Sequence, residues 1–249
     1  MPNEGAASTF KTDFKTPRGA LFGGAREAIG APILVLGASY VGFGSLIRES
    51  GLGLGIGLFS TVATWALPGQ VASIELYAAG AALLPIFIAV ALTNARMLPM
   101  TVTLLPLLQR TGRPRWKLYL AAHLVAVTGW AVSMLRCPDM PPEQRMSFFV
   151  GFAGTLLLGS IIGTAIGFSL SGLVPPAVSL GLVFVNPLYF MLIFLIDLRH
   201  RGRVLALLFG ACLGPLFHLV TPTWGLLLSG ILAGALAFIA DRAMGRRRG

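Results

Sequence analysis

Residues 147–172 read SFFVGFAGTLLLGSIIGTAIGFSLSG, without one Asp, Glu, Lys or Arg. As an α-helix this stretch is about 39 Å long at ~1.5 Å per residue, more than the ~30 Å hydrocarbon core of a bilayer. Residues 28–47, 118–135, 175–196 and 223–240 also contain no Asp, Glu, Lys or Arg. Most of these runs reach across the core as helices. Hydrophobic residues make up 55% of the 249 and charged residues only 11%, against roughly 25% charged in globular chains. The mean hydropathy of +0.81 agrees. A water-soluble fold is remote, and the expected class is all-α: a polytopic transmembrane helical bundle.

The formal charge of +10 would point to nucleic acid in a soluble protein. Here the basic residues form short clusters between apolar runs, the pattern that orients membrane proteins, and nucleic-acid binding is not expected. Clusters lie at Lys11, Lys15, Arg18 and Arg26, at 110–117, at 199–203, and at Arg242 with Arg246 to Arg248. The positive-inside rule places all four in the cytoplasm. The Pro-rich loop 136–146 balances Arg136 and Arg145 against Asp139 and Glu143, and is expected outside. Met1 to Arg26 lacks an apolar core and a small-residue cleavage site, so no cleaved signal peptide is expected. The organisation is then a cytoplasmic arm (1–27), one transmembrane domain (28–241) and a basic cytoplasmic tail (242–249) in the inner membrane. Cys137 and Cys212 form neither a CxxC pair nor a metal spacing.

Parity makes the topology informative. If 28–47 leaves the cytoplasm and 110 is back inside, the crossings between must be odd in number. Two apolar stretches, 52–82 and 84–109, occupy that interval. The first is interrupted at Leu67-Pro68-Gly69-Gln70, where Pro removes a backbone donor and Gly loosens the helix. Residues 52–66 and 71–82 therefore read as half-helices that dip in and return on one side, with three short crossings as the competing solution. The second half repeats the puzzle. With 118–135 going out and 199–203 inside, two stretches (147–172 and 175–196) again stand where an odd number is needed. Broken segments at corresponding places in two halves point to a transporter site and to an internal repeat. Small residues recur at helical spacing: Gly53/Gly57, Gly159/Gly163/Gly167, Gly210/Gly214 and Gly230/Gly234. Packing within the chain is the favoured reading, with subunit contact as the minority one.

Two charges fall inside the apolar stretches, Glu75 and Arg96. In an unbroken helix over 84–109, Arg96 would lie about 18–20 Å from either end. That is too deep to snorkel, so the guanidinium should face a polar cavity or a partner. An ion pair with Glu75 is the structural alternative, and the two roles can coexist. Gln70 follows the Pro68-Gly69 break and Asn94 precedes Arg96 by two residues. N–H groups at a half-helix N-terminus suit a carboxylate, and carbonyls at a C-terminus suit an ammonium, so a broken helix serves a zwitterion. Gln70, Glu75, Asn94, Arg96 and Asn186 are the candidate substrate-binding residues, Asn186 because it precedes Pro187 in an apolar run. Catalytic motifs are weak. His123, His200 and His218 are far apart, and a Ser171–His218 intramembrane hydrolase is the remaining enzymatic alternative. A non-transporting scaffold would leave Arg96 unexplained. There is no P-loop, and no cofactor or metal site is expected.

Residues 44–108 carry Gly44, Arg48, Gly51-Leu52, then Trp65-Ala66-Leu67-Pro68-Gly69-Gln70, then Thr93-Asn94-Ala95-Arg96. In order and spacing they resemble the "GL", "FAGASQF" and "VNLRH" stretches of the AzlC family, the large component of AzlC–AzlD branched-chain amino-acid exporters. Val183 to Phe190 is similar to the family's "DFAFPAMF" run, and the resemblance covers most of 30–196. It implies export of small hydrophobic amino acids with a small AzlD-like membrane subunit, and secondary transport coupled to protons or exchange. Met97 stands where the family usually has His, which weakens the carry-over of a proton relay. Glu75 stands where a small or apolar residue is common, which puts branched-chain specificity in question.

Overall fold

The structure is a computed structural model that describes residues 14, 16–110, 114, 116–173, 175, 177–178, 180–185, 188, 191, 201–220 and 225–246. Its elements are α1 (Pro17–Ala28), α2 (Ala31–Glu49), α3 (Leu54–Ala63), α4 (Leu67–Ala78), α5 (Leu83–Asn94), α6 (Met97–Leu108), α7 (Trp116–His123) and α8 (Val127–Arg136). A 3-10 turn (Cys137–Asp139), α9 (Pro142–Leu170), α10 (Arg201–Val220) and α11 (Gly225–Arg246) follow. The expected all-α membrane bundle is what the chain forms.

The run quoted above becomes most of α9, 29 residues long and the axis of the bundle. α1 and α2 lie along it. Gly151 meets the backbone of Leu21, Gly159 meets Ile33, Gly163 meets Gly37, and Gly167 meets Val41; Gly44 in return meets the backbone of Thr164 and Phe168. A Cβ at Gly167 would run into the Val41 carbonyl. The close approach thus depends on the missing side chains, as in membrane helix pairs generally. The packing reading therefore holds for the α9 glycines and for Gly57, which meets Ile47 and Thr164. Among the described residues nothing lies within 4 Å of where a Cβ would stand at Gly53, Gly210, Gly214, Gly230 or Gly234.

From Leu21/Gly151 through Ile33/Gly159 and Gly37/Gly163 to Val41/Gly167 the residue number rises on both sides, so α2 and α9 run parallel. This corrects the expected topology. The Phe14 N–H donates to Gln144 Oε1 (3.2 Å), Glu27 pairs with Arg136 (2.9 Å), and Arg110 pairs with Glu143 (3.3 Å). The loop 136–146, expected opposite the N-terminal arm, lies on the same face as α1 and residue 110. Arg48 marks the other face, donating to the Phe168 carbonyl at 3.0 Å near the end of α9.

Two short helix pairs do not cross. α3 descends from the Arg48 face along α9, with Gly57 near Ile47 and Trp65 reaching Ser160. α4 returns past Tyr40, bonded to Gln70, towards Leu46. The unwound residues are 64–66. Leu67-Pro68-Gly69-Gln70 form the first turn of α4 rather than the break itself, because Pro lacks the N–H that a first turn does not use. The second pair, α7 and α8, is bent by 119°. The expected crossing at 118–135 is therefore a hairpin that enters from the N-terminal face and returns to it. No Pro or Gly lies in 118–126 to announce the reversal.

Between the hairpins, α5 and α6 form one span bent by 46° at Ala95-Arg96. The unbroken helix expected over 84–109 is thereby corrected. Pro99 supplies the cause: it cannot donate to the Ala95 carbonyl, which Leu98 N–H takes instead at 3.1 Å. The first parity puzzle is resolved. α2 crosses, α3–α4 dips, α5–α6 crosses back, α7–α8 dips, and α9 crosses again. Much of 175–196, on which the second count turns, lies outside the described residues. α10 and α11 pack antiparallel, with Gly202 against Asp241.

Candidate functional site

The tips of the two hairpins meet. His123 ends α7 and its Nε2–H donates to the Val62 carbonyl near the end of α3, at 2.7 Å. One hairpin enters from each face, so the tips meet near mid-depth. Backbone that leaves the helical ladder at such depth must be held by protein, and a group of polar side chains surrounds the α3–α4 break. Trp65 has φ 35°, in the left-handed region, which costs a non-glycine residue about 1–3 kcal/mol. Its buried indole Nε1–H donates to Ser160 Oγ at 3.2 Å. The buried hydroxyls of Thr61 and Thr164 are 3.1 Å apart.

Gln70 is 1% exposed. Its Oε1 accepts from the Tyr40 hydroxyl at 2.8 Å, and its Nε2 donates to Ser60 Oγ at 3.0 Å. The amide thus ties α2, α3 and α4 together at the break. Asn94, the last residue of α5, lies on the other side of the same turn. Its amide sits against Gly69, where a Cβ would come within 2.6 Å of Oδ1. Asn94 Oδ1 is buried without a hydrogen-bond partner among the described residues. The two helix breaks therefore meet at Gly69 and Asn94.

The first turn of α4 completes the site. Ala66 at its N-cap has no side chain to cap the helix, and Pro68 has no N–H. The N–H groups of Leu67 and Gly69 fall outside the helical ladder, as first-turn donors do. Such a terminus favours an anion. The unpartnered Asn94 oxygen next to it is an acceptor, so both signs of a zwitterion have counterparts within one turn.

The remaining candidates are spread out. Arg96 takes the N-cap position of α6 at the bend, is exposed, and has no ion pair or hydrogen bond among the described residues. It does not pair with Glu75. Glu75 lies five residues beyond Gln70, about 7.5 Å along α4 towards the Arg48 face, and lines an open groove of about 470 Å³. Asn186 lies outside the described residues. Ser171 follows the last turn of α9 at the Arg48 face, away from the hairpin tips, and the His218 side chain lies outside the described residues. No His/Cys/Asp/Glu group able to hold a metal occurs among the described residues.

Sequence reasoning missed His123, Tyr40 and Trp65. The wide spacing of His123, His200 and His218 speaks only to metal or catalytic roles, whereas His123 joins two chain reversals. Trp65 carried one signal, its place just before the Pro68 break.

Comparison with the curated proteins and with the solved structures gave no match. A protein-family model, AzlC protein, matches residues 32–174. The matched segment runs from the first turn of α2 to just beyond α9, so it contains both hairpins, the bent span and their meeting point. It covers more than half of the chain, and the protein belongs to the AzlC family.

Proposed function

We propose that this chain, a member of a family of membrane transport proteins, exports small hydrophobic, branched-chain-like amino acids as the larger subunit of a two-component permease. One observation carries the reading. Half-depth hairpins from opposite faces meet at His123 and Val62, beside an uncapped helix start and an unpartnered Asn94 oxygen. Tips that meet near mid-depth leave a thin barrier, and small movements of either hairpin open the site to one side or the other. The α4 N–H groups receive the substrate carboxylate, and Asn94 Oδ1 accepts from its ammonium. Gln70 holds the break in shape from behind.

Orientation follows from charge. Arg18, Arg26, Arg110, Arg136 and Arg145 share the N-terminal face, while Arg48 stands at the other. The positive-inside rule makes the N-terminal face cytoplasmic, with the chain in the inner membrane. Arg96 gives the reason for a second subunit. It sits at the bend of the α5–α6 span, next to α5, which buries none of its residues. A guanidinium facing lipid there costs at least about 2.5–3.5 kcal/mol, and a small multi-span subunit would cover it. Energy comes from proton coupling or exchange.

Leucine counterflow in proteoliposomes tests the reading. Uptake is expected when the chain is reconstituted with a small multi-span partner and is weak with the chain alone. Full activity of the chain alone would remove the partner, and absence of amino-acid flux in both preparations would reject the transport assignment.

A further inference from the structure

The groove beside Glu75 lies away from the hairpin tips, between α2, α4 and residues 180–184. Leu46, Val71, Leu180, Val183 and Phe184 form its apolar walls, and Glu75 is its one charged lining residue. The carboxylate has no ion pair or hydrogen bond among the described residues. It also stands in the last turn of α4, where the helix carries partial negative charge and no basic side chain offsets it. A carboxylate is disfavoured at such an end unless a cation joins it.

We infer that this groove binds a primary ammonium group attached to a branched hydrocarbon. The ammonium pairs with Glu75 and the hydrocarbon covers the walls. For the proposed transporter this is a vestibule on the Arg48 face that selects substrate by its amino end and side chain; the inference takes its substrate class from that reading. The α4 terminus and Asn94, about two turns deeper, form a separate, later station for the whole substrate.

The test uses the full chain in lipid nanodiscs and two probes, 3-methylbutylamine and its neutral isostere 3-methylbutanol, with binding read by calorimetry. The amine should bind the wild type more tightly than the alcohol. Glu75→Gln should weaken the amine about tenfold, the loss of one charge-assisted hydrogen bond, and leave the alcohol unchanged. Val183→Trp fills the groove from its other wall and should weaken both probes while Glu75 stays in place. Equal binding of amine and alcohol to the wild type, or an amine affinity unaffected by Glu75→Gln, overturns the site. Leucine counterflow separates the two readings. Flux without Glu75-dependent amine binding removes the groove and keeps the transporter, while Glu75-dependent binding without flux keeps the groove and removes the transporter.

Discussion

Replacing Gln70 by Leu removes two hydrogen bonds at the α3–α4 break while roughly conserving volume. Tyr40 is 1% exposed and would lose its hydrogen-bond acceptor, the Gln70 Oε1 at 2.8 Å. Ser60 would lose the Nε2 donor at 3.0 Å, but it is half-buried and regains part of the loss from solvent. An orphaned buried group costs about 1–3 kcal/mol, and interhelical hydrogen bonds in membranes average nearer ~0.6 with a maximum of ~1.7. The tyrosine takes most of the penalty, so a total of about 2 kcal/mol is expected. For a chain of this size that is a fall of about 4–8 °C in Tm. Adding Tyr40→Phe should recover most of it, because removing both partners of a buried bond is nearly neutral. The Phe ring keeps the edge-on packing of Tyr40 against Phe43, whose centroids are 5.9 Å apart. Thermal unfolding in nanodiscs measures stability and leucine counterflow measures function. If Gln70 only braces the break, the double variant transports; if it touches substrate, the double variant is folded and inactive. An unshifted Tm for Gln70→Leu, or a double variant no more stable than the single, would refute the bracing argument.

Cysteine-accessibility labelling should find residues 110–117 and 137–145 on one face, together with the N-terminal arm, and residues 50–53 and 79–82 on the other; labelling of 110–117 and 137–145 from opposite faces would break the parallel arrangement of α2 and α9. Gly167→Val should cost about 1–3 kcal/mol by driving a side chain into the Val41 carbonyl, visible as lost folded yield, whereas Gly234→Ala, with open space around it, should leave yield unchanged. His123→Ala should lower leucine flux about tenfold or more by parting the hairpin tips, with His123→Gln retaining a donor and more of the activity; equal flux in the two variants would remove the tip contact from the transport cycle. Because Arg96 and Glu75 are not paired, their neutralising substitutions should add independently in stability, and a double variant that departs from the sum of the two singles by more than about 0.5 kcal/mol would contradict that.

Several features were legible in the sequence because their causes are local. The uncharged run at 147–172 could only be a buried or spanning helix, and it is α9. Pro68 marked the α3–α4 break within a few residues, since a missing N–H acts wherever the ring sits. Parity then allowed a dip or three short crossings, and the structure has a dip there. The order of Gly44, Trp65 to Gln70, and Thr93 to Arg96 pointed to the family that the 32–174 match shows. Gln70 stood out by its nearness to the Pro68-Gly69 break and Asn94 by its nearness to Arg96, and both lie where the two helix breaks meet.

What only the tertiary structure decided is non-local. Hydropathy cannot distinguish a crossing from a hairpin when both are apolar, so 118–135 read as a span. Its 119° reversal is held by His123 on Val62, 61 residues away, and no residue within the run announces it. The side of the loop 136–146 followed from the same misreading, because each face depends on the count of crossings before it. The spacing of the α9 glycines favoured packing within the chain without naming the partner, which Val41, Gly37 and Ile33 supply. Glu75 and Arg96 looked like partners because they are the two charges within the apolar stretches. The Pro99 kink and the reversal of α4 place one in a groove and the other at an exposed bend. Composition and chain chemistry determine which segments enter the membrane; contacts between distant residues determine which of them cross it.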